Sequence, residues 1–283
     1  MPSMFEFPLN ILAFNRPKYF EKVLRSLTLQ TVQLDPSLTT IWIDGFRGSR
    51  DEGRNRGDYT EKTIQLAKDY LPGFRLVIRE SNVGIAMQYR EAEAQSFRTN
   101  SDIAFFFEED LVVSPHYLEA LLDLEMKTRN FPEIGRIAAH GYVKNRREVQ
   151  RTNGVGRAMQ TWGFGLRRRM YEASLPMLSK YYEVLDGTSY YKRDSERIQT
   201  VLLELGVEVK ETSQDYVKGR IARHLGFTGI STYSQLGKYI GRTGEHKSLL
   251  SSFFRHKQLF NIQLDTTWTV STTDIRKFLD NSE

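Results

Sequence analysis

The stretch IAFFFEEDLVVSP, at residues 103–115, decides the fold. Five apolar residues lead straight into the acids Glu108, Glu109 and Asp110. A short apolar run of this kind predicts a buried strand. Adjacent carboxylates repel one another, and burying an unpaired one costs on the order of several kcal/mol. We therefore expect a compensating group beside the three acids.

Strand-like and helix-like segments alternate on both sides of this stretch. Apolar runs predict further strands at 7–14, 39–44 and 74–79, and helical spacing predicts helices at 18–29, 59–70, 84–97 and 115–130. This alternation predicts an α/β fold with a mostly parallel sheet covered by helices on both faces. Further along, we predict a strand at 137–143, helices at 170–182, 195–205 and 215–225, and a long loop at 226–257.

Polar residues stand where several of these strands end. Asn15 and Arg16 follow the first strand, Asp44 ends the second, and the acidic triplet ends the fourth. Ligands of such sheets bind outside the carboxyl ends of the strands, so we expect one common site. Adjacent carboxylates there favour Mg²⁺ or Mn²⁺, which bind carboxylates together with substrate phosphates. An exposed turn without any ligand is the alternative.

Strand geometry also predicts how the triplet points. Successive side chains alternate between the two faces, so Glu108 and Asp110 share one side and Glu109 takes the other.

Composition sets wider limits. The 283-residue chain has a formal net charge of +5 and no cysteine, which excludes disulfides and thiolate zinc sites and favours a reducing compartment. No apolar run reaches the ~18 residues of a membrane helix, and the first residues lack signal-peptide features. We expect a cytoplasmic protein, with peripheral contact at the inner membrane face left open. The sequence has basic runs at 47–57, 144–151 and 167–169. Such runs could bind nucleic acid, a nucleotide diphosphate or an anionic membrane leaflet, or they could simply form a solvated surface.

The segment FFFEEDLVVSPHYLEALL resembles the acidic-triplet segment of nucleotide-sugar-dependent glycosyltransferases with the GT-A fold. The likeness is closest to the N-acetylglucosaminyltransferase I family (family 13) and extends to family 2. It covers about residues 5–250. The segments NRP, IWID, NVGI and WGFG, at 15–17, 41–44, 82–85 and 162–165, support it by their order.

The resemblance implies a single GT-A domain over 1–283. Residues 1–135 would form the nucleotide-sugar-binding half, and 136–283 the acceptor-binding half with a closing loop. It implies an inverting, metal-dependent glycosyltransferase that uses Mn²⁺ or Mg²⁺. The donor would be a UDP-sugar, with UDP-GlcNAc as the first candidate, and the acceptor a glycan or lipid-linked molecule.

Site residues also follow from the resemblance. Asp110 would be the direct metal ligand, and His246 would complete the metal shell. Glu108 and Glu109 would lie near the ribose and the metal, although Glu109 stands where the family 13 enzyme has Asp, which alters its reach.

The nucleotide would be held by other residues. Asn15 and Arg16 would form the first nucleotide-binding loop, with Arg16 on the pyrophosphate or the nucleotide, and Asp44 would contact the uracil. A surface position for Arg16 and the start of a turn for Asp44 are the structural alternatives. In the closing loop, Lys238 and Arg242 would touch the diphosphate, and a solvated basic loop is the alternative.

Inversion needs a base that takes the proton of the acceptor hydroxyl. Asp215 in TSQDYVK is the candidate, since the family has an acidic pair before an aromatic residue and a helix there. Here Gln214 replaces the first acid, and Glu211 is the reserve. A helix-capping role is the structural alternative for Asp215.

Two other functions remain open. A nucleotidyltransferase also combines an α/β sheet with acidic metal ligands, but its first strand leads into a glycine-rich loop, and ILAFNRPKYF contains no glycine. A non-catalytic module that binds nucleic acid or an anionic surface explains the basic runs but not the triplet. We therefore expect no nucleic-acid partner; the sequence does not give the oligomeric state.

Overall fold

The computed structural model describes residues 3–141, 153–158, 162–241 and 264–281. The first half contains β1 Met4–Phe5, β2 Leu9–Ala13, α1 Pro17–Thr28, β3 Gln33–Leu34, β4 Thr39–Ile43, α2 Arg50–Gly53, α3 Thr60–Tyr70, β5 Arg75–Ile78, α4 Gly84–Ser96, β6 Ile103–Glu108, β7 Leu111–Val113 and α5 Tyr117–Thr128. The second half contains β8 Ile134–Ala138, β9 Val155–Arg157, β10 Phe164–Arg167, α6 Arg168–Leu185, a 3-10 turn Tyr190–Lys192, α7 Ser195–Glu204, α8 Gln214–His224, β11 Thr228–Thr232, β12 Gly237–Tyr239 and α9 Thr272–Asp280.

An eight-stranded sheet forms the centre, in the order β5-β4-β2-β6-β10-β8-β11-β9. The first four of these strands run parallel, and Ile11 of β2 pairs with Ile41 on one side and Phe107 on the other. The α/β prediction is therefore confirmed. The other half of the sheet is mixed, because β10 lies antiparallel between β6 and β8.

Strand β6 shows why its sequence is continuously apolar. Ile103, Phe105 and Phe107 pack in the same core as α1, α3 and α5, while Ala104 and Phe106 pack on the other face with residues of α4 and α6. All five side chains are fully buried. Each buried phenylalanine contributes about 1.5–3 kcal/mol, so this strand fixes both layers of helices.

In the second half, the three predicted helices are confirmed as α6, α7 and α8, whereas the predicted loop and strand were wrong. The loop predicted at 226–257 contains β11 and β12, and the strand predicted at 137–143 lies at Ile134–Ala138. Strand β10 was not predicted, because Gly165 reads as a turn residue. A Cβ at Gly165 would lie 2.7 Å from Phe105 and 2.9 Å from Ile103, so the crowded sheet centre requires glycine there.

The basic run at 167–169 has a structural role. Arg167 is buried and donates to the Glu125 carboxylate. Arg168 and Arg169 donate to main-chain carbonyls at and after the ends of α4 and α5, namely those of Phe97, Thr99, Ser101, Arg129, Phe131 and Ile134. Phe97 and Arg129 are the residues that end α4 and α5, so the two arginines satisfy carbonyls that the helices leave without partners. Within the described ranges, no helix combines the length and hydrophobicity that crossing a membrane requires.

Candidate functional site

A cavity of about 410 Å³ opens at the carboxyl ends of β2, β4 and β6. Its size lies within the range of small-molecule sites, roughly 300–1,000 Å³. It brings together six residues that the sequence singled out: Asn15, Arg16, Asp44, Glu108, Glu109 and Asp110. Further lining residues that sequence reasoning missed include Asp51, Arg56, Tyr59, Asn82, Gln88 and Tyr239.

The acidic triplet straddles the end of β6. The strand stops at Glu108, and Glu109 and Asp110 form a turn before β7, so the predicted alternation does not extend to Asp110. Glu108 accepts a hydrogen bond from the Tyr89 hydroxyl at 3.0 Å. Glu109 accepts the N–H of Phe14 at 2.8 Å through Oε2. The three carboxylates therefore have three different environments.

Arg16 supplies the compensating charge. Its Nε donates to Glu109 Oε1 at 2.6 Å and its Nη1 donates to Asp110 Oδ2 at 2.7 Å. Both acidic side chains are almost fully buried, whereas Arg16 is 26% exposed. Burial opposes the charge on Arg16, but Asp110 and Glu109 outweigh it and keep the pKa of the guanidinium above its ordinary value.

Asp110 is left with one unsatisfied oxygen. Its Oδ1 is buried and has no hydrogen-bond partner among the described residues. Leaving a buried carboxylate oxygen without a partner costs free energy, and a hard cation such as Mg²⁺ or Mn²⁺ bound to Oδ1 would remove that cost. Within the described ranges, no three acidic or histidine side chains gather as a ready-made metal cluster. Mg²⁺ is commonly bound by one or two carboxylates together with substrate phosphates and water. His246 lies outside the described residues.

Asp44 holds the loop that walls one side of the cavity. Its two carboxylate oxygens accept the Asn82 side-chain amide and the main-chain N–H groups of Gly45, Val83 and Gly84, each at 2.9 Å. Burial nevertheless raises the pKa of Asp44 to about 6, and the hydrogen bonds oppose this rise. Both oxygens are thus already occupied by the chain itself.

Asn15 performs a similar task on the opposite wall. Its amide donates to the Gly57 carbonyl at 2.9 Å, and its oxygen accepts the N–H of Tyr59 at 2.7 Å. This contact brings the half-exposed ring of Tyr59 to the cavity rim beside Arg56, which pairs with Asp51 at 3.0 Å. Nothing in the local sequence of 56–59 predicts this placement, because it depends on Asn15.

Asp215 lies near the cavity but does not line it. It is exposed in the first turn of α8, where the positive end of the helix favours an acid. Burial, the charge of Asp110 and the charge of Asp215 together raise the pKa of Glu108 to about 8, while the Tyr89 hydroxyl opposes this rise. The candidate base and the triplet thus act on one another electrostatically. Glu211 is exposed in the segment before α8.

Strand β12 contributes a different residue from the one predicted. Lys238 pairs with Val112 of β7 and does not line the cavity. Its neighbour Tyr239 lines the cavity and stacks on Trp162, with ring centroids 4.3 Å apart and planes at 10°. Burial and the charge of Asp110 raise the pKa of Tyr239. Arg242 lies outside the described residues.

Comparison with known proteins gives limited information. No family model and no curated protein sequence matches the chain. Among solved structures, a mannosyltransferase from Pyrobaculum calidifontis in complex with GDP-Man and Mn²⁺ is 11% identical in sequence, with a TM-score of 0.46. The aligned region covers 82% of this chain and 56% of the mannosyltransferase chain. S. aureus TarS 1-349 in complex with UDP-GlcNAc is 13% identical, with a TM-score of 0.44, and the aligned region covers 85% of this chain and 60% of the TarS chain. The chain thus spans little more than half the length of these proteins, and TM-scores below 0.5 do not define its class.

Proposed function

We propose that this chain is a metal-dependent, inverting glycosyltransferase of the GT-A fold. It transfers a sugar from a UDP-sugar, with UDP-GlcNAc as the first candidate, to a hydroxyl of a glycan or lipid-linked acceptor. The observation that carries the proposal is Asp110, a buried acid at the end of a central strand whose Oδ1 has no partner among the described residues. The likeness of FFFEEDLVVSP to the triplet segment of these enzymes supports the same conclusion.

The cavity offers positive charge to a diphosphate in two ways. A bound Mn²⁺ or Mg²⁺ on Asp110 would neutralise charge on the departing UDP. Arg16 lies at the same wall and, being partly exposed, adds a fixed positive charge that would attract phosphate oxygens while its Nε and Nη1 contact Glu109 and Asp110. Glu109 holds Arg16 in place through its contact with Nε.

The walls determine where the nucleoside lies. We propose that Asn15 and Asp44 act by holding the walls of the cavity in place, because their polar atoms already bind the loops at 57–59 and 82–84. A direct contact of Asp44 with uracil stays a prediction. Roles of Lys238, Arg242 and His246 in closing over the donor also stay predictions.

Asp215 is the proposed base. Its side chain is exposed, and its charge acts on Glu108, which lines the cavity. The acceptor hydroxyl would give its proton to Asp215 and attack the anomeric carbon on the face opposite to UDP. Glu211 remains the reserve base.

A thermal-shift panel of UDP, UDP-GlcNAc and GDP-mannose, each with Mn²⁺ or with EDTA, tests the proposal. A ligand at 100 times its Kd stabilises the folded state by about 2.7 kcal/mol. We expect UDP-GlcNAc with Mn²⁺ to give the largest shift and Asp110→Asn to remove its metal-dependent part. Asp102→Asn, at the opposite end of the same strand region, is the matched control and should keep the shift. The proposal fails if no nucleotide or nucleotide sugar stabilises the protein.

A further inference from the structure

Tyr190 holds the start of the helix that carries Asp215. The Tyr190 side chain is buried in the 3-10 turn before α7, and its hydroxyl accepts the N–H of Gln214 at 2.8 Å. Gln214 is the first residue of α8, and first-turn N–H groups have no partner within their own helix. The Arg193 guanidinium lies 4.6 Å from the centre of the Tyr190 ring and restricts it from another side. The position of Asp215 therefore depends on Tyr190.

The same tyrosine packs against the nucleotide wall of the cavity. Gly84 begins α4 with φ of +77°, and its N–H donates to Asp44 Oδ2 at 2.9 Å. A Cβ at Gly84 would lie 2.5 Å from Cβ of Tyr190, so the main chain of the wall touches this side chain directly. Glycine is required here both by the dihedral angle and by this close approach.

We propose that Tyr190 is a positioning residue that couples the nucleotide cavity to the base. The contacts run from Asp44 to Gly84, from Gly84 to the Tyr190 ring, and from the Tyr190 hydroxyl to the N-terminus of α8. A nucleotide that orders the wall at Gly84 thereby orders Asp215. This inference rests on the proposed function, because it assumes that the cavity binds a nucleotide and that Asp215 acts on the acceptor.

The variant Tyr190→Phe keeps the ring and removes only the hydroxyl. Helix α8 has a second attachment one turn later, where Lys218 Nζ donates to Glu93 Oε1 at 2.6 Å in a buried ion pair. The helix should therefore stay in place while its first turn loosens. Tyr191→Phe, which removes a hydroxyl from the next residue of the same turn, is the matched control.

Amide hydrogen exchange gives a readout that needs no turnover. In the unchanged protein, UDP with Mn²⁺ should slow exchange at Gln214 and Asp215. In Tyr190→Phe, exchange at Gln214 should be about tenfold faster without ligand, because its N–H loses its acceptor, and UDP should no longer slow it. Tyr191→Phe should behave like the unchanged protein. Equal exchange at Gln214 in the unchanged protein and Tyr190→Phe overturns the inference.

Kinetics separate positioning from a merely structural role. With UDP-GlcNAc, Mn²⁺ and water as acceptor, Tyr190→Phe should lower kcat for UDP release by about 10- to 100-fold, the scale of a slightly misplaced catalytic group, with the donor KM within about twofold. An unchanged kcat, or a loss confined to KM, rejects the coupling. Absence of any UDP-induced thermal shift in the unchanged protein rejects the proposed function itself, and this inference with it.

Discussion

Replacing Arg16 by glutamine should make the stability of the protein depend on metal. Arg16 is the cation that contacts both Glu109 and Asp110, through its Nε and Nη1. Without it, neither of these nearly fully buried carboxylates keeps an ion pair among the described residues. The metal-free variant must then protonate one of them or keep an unpaired buried charge.

The size of the effect follows from the burial of the three groups. Breaking a buried ion pair costs about 3–5 kcal/mol, and we take about 3 kcal/mol because the Arg16 side chain is 26% exposed to screening water. For a chain of 283 residues, each kcal/mol lowers Tm by roughly 2 °C. We therefore expect a loss of about 6 °C in EDTA. Mn²⁺ should recover much of this loss, since it supplies positive charge to Asp110 without competing against Arg16.

Thermal unfolding followed by circular dichroism, with EDTA and with a series of Mn²⁺ concentrations, measures both effects. Arg129→Gln is the matched control. Arg129 makes a 2.6 Å contact with Glu125, but its side chain is 55% exposed, so its loss should cost less than about 1 kcal/mol. Equal Tm losses in the two variants would refute the reasoning. So would an Mn²⁺-induced shift no larger in Arg16→Gln than in the unchanged protein.

Three further outcomes are expected. Burial lowers the pKa of His140 to about 4, so its imidazole stays neutral in the folded protein, while in the unfolded chain it takes up a proton below about pH 6.5. The free energy of unfolding should therefore fall as the pH is lowered from 6.5 to 4. In His140→Gln, the free energy of unfolding measured in urea should depend less on pH over that window. Gly165→Ala should lower the free energy of unfolding in urea by about 1–3 kcal/mol through overpacking. Gly226 has open space around it but a positive φ, so Gly226→Ala should lower the free energy of unfolding by only about 1 kcal/mol, through backbone strain. Asp215→Asn should lower sugar transfer by about 10²–10⁴-fold while isothermal titration shows unchanged UDP affinity; near-normal transfer would remove Asp215 as the base.

Local sequence patterns are sufficient to predict the parallel half of the fold and the sheet edge at which the candidate site lies. Strands β2, β4, β5 and β6 are short apolar runs, and helices α1, α3 and α4 repeat apolar residues at helical spacing. Such patterns are local, so they can be read without knowing which segments pair. Because parallel strands align their carboxyl ends, the positions of Asn15, Arg16, Asp44 and the triplet in one cavity followed as well.

The second half of the sheet and the contacts within the candidate site depend on tertiary neighbours that the local sequence does not reveal. Strand β10 is glycine-containing and short, and it becomes a central strand because Phe164 and Leu166 pair with residues of β6 that lie about sixty positions earlier. Propensity in a strand depends mainly on the neighbours it packs against, which the local sequence does not specify. For the same reason, the sequence did not indicate that Tyr239 lines the cavity or that Tyr190 contacts the start of α8. It also hid the partner of the buried acids: Arg16, from the loop after β2, donates hydrogen bonds to both Glu109 and Asp110.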